Sequence, residues 1–337
     1  MKVYIVGTPG RPAGACQEAW HTCKLWRSHG LDVTLVPTGP LEEYAARLAA
    51  IGVEIRDGRL GDVALPAGSI VVAFCNHPFL RLVGPRLRRQ GCRLVWVGCM
   101  NQLTTAEQEL LDREGPFDGY VFQSRYQRRQ LEPIYRAAGA GNFHRIPGAL
   151  DVDEFPFRPR PHRPGRPFVV GRLSRAHRLK YAADLWQIYG RIPAVRARVM
   201  GWSGTVEAHC GKPPAWAEVL KVAAEPALDF YRSLHAIVHP GGEAVENWPR
   251  YVLEAMAAGV PVVTDNTGGI PELIADRREG LLCSTSLGMS QAACVLAEQD
   301  QLRMAIASAA RGRVEDELAD PAEIFSRWTH LFDSLTD

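Results

Sequence analysis

The chain lacks several features that would assign it to a structural class at once. No apolar run approaches the ~20 residues of a membrane-spanning helix, and no repeat or low-complexity tract is present. The first residues, MKVYIVG, have the pattern of a strand that enters a glycine loop and not that of a signal peptide. These absences argue against a transmembrane or repeat protein.

The cysteines lack the spacing of a metal site. None of the eight forms a Cys-x-x-Cys pair or a ligand cluster; they lie at positions 16, 23, 75, 92, 99, 210, 283 and 294. We therefore expect reduced, mostly buried thiols, a cytoplasmic protein and no bound metal. Large net charge is also lacking: the formal value is +2, which argues against nucleic acid or a strongly anionic membrane as the main partner.

The length of 337 residues favours two domains. Short apolar segments alternate with helical patterns, which predicts an α/β fold with parallel sheets covered on both faces. The predicted strands of the first half are 2–6, 32–37, 69–75, 93–97, 119–123 and 143–146. In such sheets, ligands bind beyond the carboxyl ends of the strands.

The stretch from His239 to Leu282 contains the pattern that suggests a chemistry. We expect a helix with Asn247 as its N-cap and Pro249 in its first turn. Glu246 precedes this helix and Glu254 lies about two turns inside it, roughly 12 Å further along the axis. A helix N-terminus between two carboxylates suits a diphosphate flanked by two sugars, because its free N–H groups and dipole attract anions. This is the shape of a nucleotide-sugar.

The string EAMAAGVPVV…GGIPELI resembles the donor-binding segment of GT-B glycosyltransferases, specifically the retaining family-four type with its Glu-x7-Glu motif. By this resemblance, Glu246 orients the donor hexose, Glu254 holds the ribose, and Asn247 and Gly269 border the donor. The chain departs from the family where Asn-Trp-Pro replaces the usual Gly-Phe-Gly, and Pro249 has no N–H to donate.

A second match follows the strand 168–171. Gly-Arg-Leu and a later Lys resemble the pair that clamps the donor diphosphate and balances the charge on the leaving group. Arg172 matches the Arg; Lys180 is the expected clamp and Arg178 its alternative. We expect these cations at the start of a helix that ends near Arg191.

In the first domain, the resemblance implies two contributions to the donor site. His77, in a loop after a buried strand, would be the family's cleft-facing histidine near the donor sugar. Gly14, at the end of the first glycine loop, would let the backbone approach the donor diphosphate or the acceptor.

We thus expect a GT-B fold of two Rossmann-like β/α/β domains facing a deep inter-domain cleft. The predicted domains are 1–155 on the acceptor side, 156–318 on the donor side, and a helix, 319–337, that crosses back to the first. The predicted last helix starts at Pro321 with Asp320 as its N-cap.

The implied function is retaining transfer of a hexose from a UDP- or GDP-linked donor to an unidentified acceptor, without a resident cofactor or a required metal. Two alternatives stay open: an epimerase-like GT-B enzyme that acts on the nucleotide-sugar, and a non-catalytic nucleotide-binding or scaffold protein. No nucleic acid or transmembrane segment is expected, and weak peripheral membrane contact stays open, although no strongly amphipathic basic helix argues for it.

Overall fold

A computed structural model of the chain describes residues 1–10, 14–56 and 62–336. The chain divides into two compact units, one formed by Met1–Asp151 with Ala319–Asp337 and the other by Val152–Leu318. The sequence predicts the first boundary after residue 155, whereas the contacts divide the chain after Asp151. Among the described residues, no helix is both long and apolar enough to span a membrane.

The first unit contains a parallel sheet of seven strands among the residues described, in the order β3-β2-β1-β4-β5-β6-β7. Its strands are β1 Lys2–Gly7, β2 Asp32–Pro37, β3 Glu54–Ile55, β4 Ile70–Phe74, β5 Arg93–Val97, β6 Gly119–Phe122 and β7 Phe143–Arg145. The sequence analysis missed β3 because a two-residue edge strand has no measurable alternation.

Helices cover both faces of this first sheet. They are α1 Gly14–Ser28, α2 Tyr44–Ala50, α3 Gly84–Arg89, which continues a π-helical turn at Phe79–Val83, α4 Thr105–Glu114, α5 Arg125–Ala137 and, from the end of the chain, α13 Pro321–Asp333. Alternate residues of β1 enter opposite cores: Val3 and Ile5 pack with α1, α2 and α13, and Tyr4 and Val6 pack with α3, α4 and α5. Asp320 caps α13 as predicted, since its carboxylate accepts from the first-turn N–H groups.

The second unit has a parallel six-stranded sheet in the order β10-β9-β8-β11-β12-β13. Its strands are β8 Phe168–Leu173, β9 Val195–Met200, β10 Ala217–Leu220, β11 Ala236–His239, β12 Val262–Asp265 and β13 Leu281–Cys283. Its helices are α6 Leu185–Gly190, α7 Gly204–Cys210, α8 Ala227–Arg232, α9 Arg250–Ala258, α10 Ile270–Leu273, α11 Ser286–Glu298 and α12 Asp300–Arg313.

The prediction of a helix that starts after Arg172 is wrong for the first half of that segment. Only a short 3-10 turn, Arg178–Lys180, precedes α6. The reason is that the carbonyls of this segment bond elsewhere: Lys180 C=O accepts from the Arg172 guanidinium at 2.6 Å, and Leu179 C=O accepts from Ala244 N–H at 2.8 Å. These oxygens are therefore unavailable to an α-helix.

Candidate active site

The candidate site is a cavity of about 190 Å³ in the second unit. His239 and Asp265, which end β11 and β12, line it together with Glu246 from the loop before α9 and Tyr251 from α9 itself. The cavity thus lies at the carboxyl ends of parallel strands, where sheets of this type bind ligands.

An ion pair joins the two charged residues predicted to serve the donor. Lys180 Nζ donates to Glu246 Oε1 at 2.9 Å, and the two side chains are 15% and 19% exposed. The alternative clamp, Arg178, instead lies 3.6 Å from Glu243, and both of those side chains are mostly exposed. Of the two candidates, Lys180 is therefore the one held beside the cavity.

Two glycines explain how the loop bearing Glu246 reaches Lys180. A Cβ on Gly242 would lie 2.4 Å from Leu179 O and 2.7 Å from Tyr181 O. At Gly241, a Cβ would lie 2.7 Å from Asp265 Oδ2, which accepts the Gly241 N–H. A side chain at Gly242 would push the loop away from the backbone of Leu179 and Tyr181, and one at Gly241 would displace the Asp265 carboxylate, because real Cβ atoms do not come so close.

Gly269 also has a packing role. Its N–H donates to Glu246 O at 3.0 Å, and a Cβ on it would lie only 1.7 Å from Asn247 O. The preceding Gly268 has φ of +63°, and its Cβ would lie 2.2 Å from Glu246 O. The Gly-Gly turn thus holds the backbone of the Glu246 loop from the opposite side.

Arg172, predicted to clamp the donor diphosphate, is buried behind the cavity and does not line it. The residue has no exposed surface. Its guanidinium donates to Pro240 O at 2.8 Å and to Lys180 O, and it stacks on the Tyr181 ring at 3.8 Å from the centroid. In this conformation Arg172 ties together the backbones on both sides of the cavity and does not reach it.

The sequence analysis missed a stacked pair in the cavity wall. The rings of His239 and Tyr251 stack at 3.9 Å between centroids and 9° between planes. Burial, together with the positive charges of Arg172 and Lys180, holds the pKa of His239 well below its ordinary value, so the imidazole is neutral. Its partner stands twelve positions later in the chain, so no local pattern could indicate the stack.

Asp265 was also missed, although its position at the end of the apolar strand PVVTD was a usable signal. Burial raises the pKa of its carboxyl, while the hydrogen bond from Gly241 N–H opposes that shift. A carboxyl so placed faces the same cavity as Glu246.

The predicted start of α9 is wrong by two residues. Pro249, not Asn247, is the N-cap, and Arg250 is the first helical residue. Pro249 disfavours a helical conformation in the residue before it, so no helix can extend back to Asn247. Consequently Glu254 is the fifth helical residue, about one turn inside the helix rather than two.

Glu254 and Asn247 are both buried, at 6% and 5% exposed. Glu254 Oε2 accepts from the Tyr231 hydroxyl at 2.9 Å, and its other oxygen lies 3.4 Å from Arg250 Nε. Burial raises the pKa of Glu254, and Arg250 opposes that shift.

The two residues predicted from the first unit lie near carboxyl ends of its strands. His77 is exposed in the loop after β4, next to Asn76, which anchors the loop by donating to Thr38 Oγ1 at 2.8 Å. Gly14 is the exposed first residue of α1; residues 11–13 before it lie outside the described part of the chain. A missed feature here is buried Glu18, which accepts from the Gln123 side chain at the end of β6.

Within residues 1–10, 14–56 and 62–336, no group of three or more His, Cys, Asp or Glu side chains is arranged to hold a metal ion. The polar side chains that line the cavity are two carboxylates, the His239 imidazole and the hydroxyls of Tyr251 and Thr267, and Lys180 lies beside it on Glu246. Such a set can hold an anion beside hydroxyl groups.

Residues 155–312, most of the second unit, match the family model described as Glycosyl transferases group 1. This match, together with glycosyltransferases among the solved structures that share the fold, makes the chain a glycosyltransferase. No curated protein sequence matches the chain significantly.

The similar structures cover both units. HepE of Anabaena, solved with UDP-glucose, has a TM-score of 0.74 and 18% identity over 99% of this chain and 100% of its own. Sucrose-phosphate synthase of Thermosynechococcus elongatus has a TM-score of 0.69 and 16% identity, over 99% of each chain. WaaG, a glycosyltransferase of lipopolysaccharide biosynthesis, has a TM-score of 0.62 and 14% identity, over 96% and 98%. These likenesses confirm the predicted two-domain α/β fold of the GT-B type.

Proposed function

We propose that the chain is a retaining glycosyltransferase that moves a hexose from a nucleotide-diphosphate sugar to an acceptor hydroxyl. The observation that carries the proposal is the Lys180–Glu246 pair beside a cavity at the carboxyl edge of the second sheet. Lys180 offers the positive charge that a diphosphate needs, and Glu246 offers an acceptor for sugar hydroxyls. The charges of the two side chains neutralise each other, and a diphosphate oxygen would compete with Glu246 as the partner of Lys180.

The remaining residues take supporting roles in this proposal. Arg172 keeps the Lys180 and Pro240 backbones in place and adds positive potential from behind the cavity, because low-dielectric burial leaves its charge weakly screened. Glu254 accepts from the ribose hydroxyls. Asn247 and Gly269 shape the backbone that carries Glu246. From the first unit, His77 and Gly14 stay proposed neighbours of the donor.

The proposed step is a displacement on one face of the sugar. The bond between the anomeric carbon and the diphosphate oxygen breaks, and the acceptor oxygen bonds to the same face of that carbon. The acceptor proton passes to the departing diphosphate oxygen, so no enzyme nucleophile is needed. Lys180 and the helix dipole of α9 stabilise the charge that the leaving group gains.

For the donor, we propose UDP-linked sugars first and GDP-linked sugars second. HepE, which shares the fold, was solved with UDP-glucose and with UDP. We propose no resident cofactor and no required metal, because Lys180 and the α9 N-terminus supply the charge stabilisation that a divalent cation would otherwise provide.

The test is a thermal-shift panel of UDP, GDP, ADP, CMP and dTDP on the purified chain, with and without Mg²⁺. A nucleotide at 100 times its Kd should stabilise the protein by about 2.7 kcal/mol. We expect UDP to stand out without added metal. The matching sugar donor is then turned over with candidate acceptors, and the anomeric configuration of the product is read by NMR. If no nucleotide in the panel raises the Tm, the proposed donor site is wrong. If the product has the inverted anomeric configuration, the proposed retention is wrong.

A further inference from the structure

Two cysteines in the first unit lie against each other at the ends of neighbouring strands. Cys75 follows β4 and Cys99 follows β5, whose residues pair in parallel up to Phe74 and Val97. Cys75 N–H donates to Val97 O at 3.1 Å, and Cys99 Sγ lies 3.9 Å from the same oxygen. Both cysteines therefore meet the same backbone oxygen, and the thiol of each shifts the pKa of the other, lowering that of Cys75 and raising that of Cys99.

Their surroundings differ from those of a structural cysteine. Both are partly exposed, whereas Cys23 is fully buried, which raises the pKa of its thiol to about 12. Cys75 also has φ of +41°, an uncommon conformation for a residue other than glycine. Strained residues of this kind cluster at functional sites.

We propose that Cys75 and Cys99 form a thiol modification site that a low-molecular-weight disulfide, such as oxidised glutathione, converts to an intramolecular disulfide. A disulfide needs a sulfur–sulfur distance of about 2.05 Å, and two cysteines that meet the same Val97 oxygen at the ends of paired strands can reach it by side-chain rotation. The link would tie the loop that carries His77 to the loop that begins at Cys99.

The chemistry balances with that disulfide as the oxidant. The Cys75 thiolate attacks one sulfur of the reagent, forms a mixed disulfide and releases one thiolate. Cys99 then loses its proton to solvent and attacks the Cys75 sulfur, which releases the second thiolate. The two protons lost by the protein give two reagent thiols, so the protein sulfurs are oxidised and the reagent sulfurs reduced.

The local charges set the order of these steps. The hydrogen bond from Cys99 lowers the pKa of Cys75, and burial of Cys75 only partly opposes this. The pKa of Cys99 is raised by its bond to Cys75, by burial and by the negative charge of Glu18. Cys75 is therefore the attacking thiol and Cys99 the resolving one.

The experiment exposes the full chain to oxidised glutathione, blocks free thiols with iodoacetamide and maps tryptic peptides by mass spectrometry. Cys75 and Cys99 fall alone in residues 60–81 and 94–113, so the expected product is these two peptides joined with the loss of two hydrogens. Dithiothreitol should separate them. The readout is a covalent link and does not depend on the proposed transferase activity.

Two variants sharpen the result. In Cys99→Ser the reaction should stop at a glutathione adduct on Cys75, whereas Cys294→Ser, which removes a partly exposed thiol of the second unit, should leave the link unchanged. The proposal is overturned if iodoacetamide alkylates both Cys75 and Cys99 under conditions in which Cys294 has already reacted with oxidised glutathione. It is equally overturned if Cys75 is linked to any other cysteine.

Discussion

The two units share one topology and differ at the edge where ligands bind. Ignoring the edge strand β7, each described sheet follows the same 3-2-1-4-5-6 order. In the second unit, the carboxyl edge holds an ion pair, glycines packed against backbone, and a cavity. In the first, it holds a thiol pair and a buried Glu18–Gln123 contact. The fold therefore supplies the location of a site, and the loops decide its chemistry.

One buried carboxylate in each unit illustrates the difference between the units further. In the first unit, Glu107 accepts from Trp96 Nε1 at 2.7 Å, from the Tyr135 hydroxyl at 3.0 Å and from Thr104 N–H at 2.8 Å. In the second unit, Glu254 lies in the helix that follows the Glu246 loop. We interpret Glu107 as purely structural, whereas Glu254 also holds the donor ribose in the function that we propose.

The largest expected effect comes from Glu107→Ala. The change leaves two buried donors unpaired, each costing about 1–3 kcal/mol, and removes a capping box worth about 1 kcal/mol. Denaturant unfolding should show the loss, with exposed Glu109→Ala on the same helix as the control. The nucleotide-induced rise in Tm should persist. Equal stability of the two variants would contradict a structural role for Glu107.

Next in size is Lys180→Met, which should act on the second unit's site alone. Losing a charge-assisted hydrogen bond costs about 1.5–3 kcal/mol, so nucleotide Kd measured by calorimetry should rise about 10- to 100-fold. Arg178→Met removes an exposed pair and should change Kd by about twofold or less. The reverse order of effects would make Arg178 the clamp.

Gly269→Ala tests whether the glycine turn holds the Glu246 loop. The new Cβ would meet Asn247 O, so the backbone must shift at a cost of about 1–3 kcal/mol, and nucleotide binding should weaken with it. Gly204→Ala is the matched control, because no heavy atom lies within 4 Å of its Cβ. If the two variants have the same Tm, the close approach of Gly269 to Asn247 does not contribute to stability.

The smallest expected effect is a pH dependence of stability, which arises at the edge of the second sheet opposite the cavity. His235, just before β11, accepts the Val169 N–H at its Nδ1, and burial, with nearby Arg160, lowers its pKa to about 3. The unfolded chain takes up a proton below about 6.5 and the folded chain does not. The contribution of His235 to the free energy of unfolding is therefore fully present above pH 6.5. It falls as the pH drops towards 3, by at most about 1.4 kcal/mol per pH unit.

The check compares Tm at pH 7.5 and 5.5. His235→Asn keeps an acceptor but cannot titrate, so its Tm should fall less than that of the unchanged protein. Nucleotide Kd at pH 7.5 should not change, because His235 lies away from the cavity. An identical pH response in the two proteins would rule out His235 as the titrating group.

Much of the architecture was predictable because it depends on local patterns. Alternating apolar strands and helices predicted the parallel sheets, and Asp320 followed by Pro321 predicted the start of α13. The glycosyltransferase resemblance, carried by the motifs between Phe168 and Leu282, agrees with the family match over 155–312. The individual roles of the site residues stay predictions.

The sequence by itself thus determined the class of fold, the order of the elements and the segment that carries the candidate site, because periodicity and turn residues act over a few positions. Only the tertiary structure decided that Arg172 is buried, that Lys180 pairs with Glu246, and that Cys75 meets Cys99. These contacts join residues from 8 to 66 positions apart, such as Arg172 with Lys180 and Lys180 with Glu246. Their partners are chosen by how strands and loops pack in space, which no local pattern records.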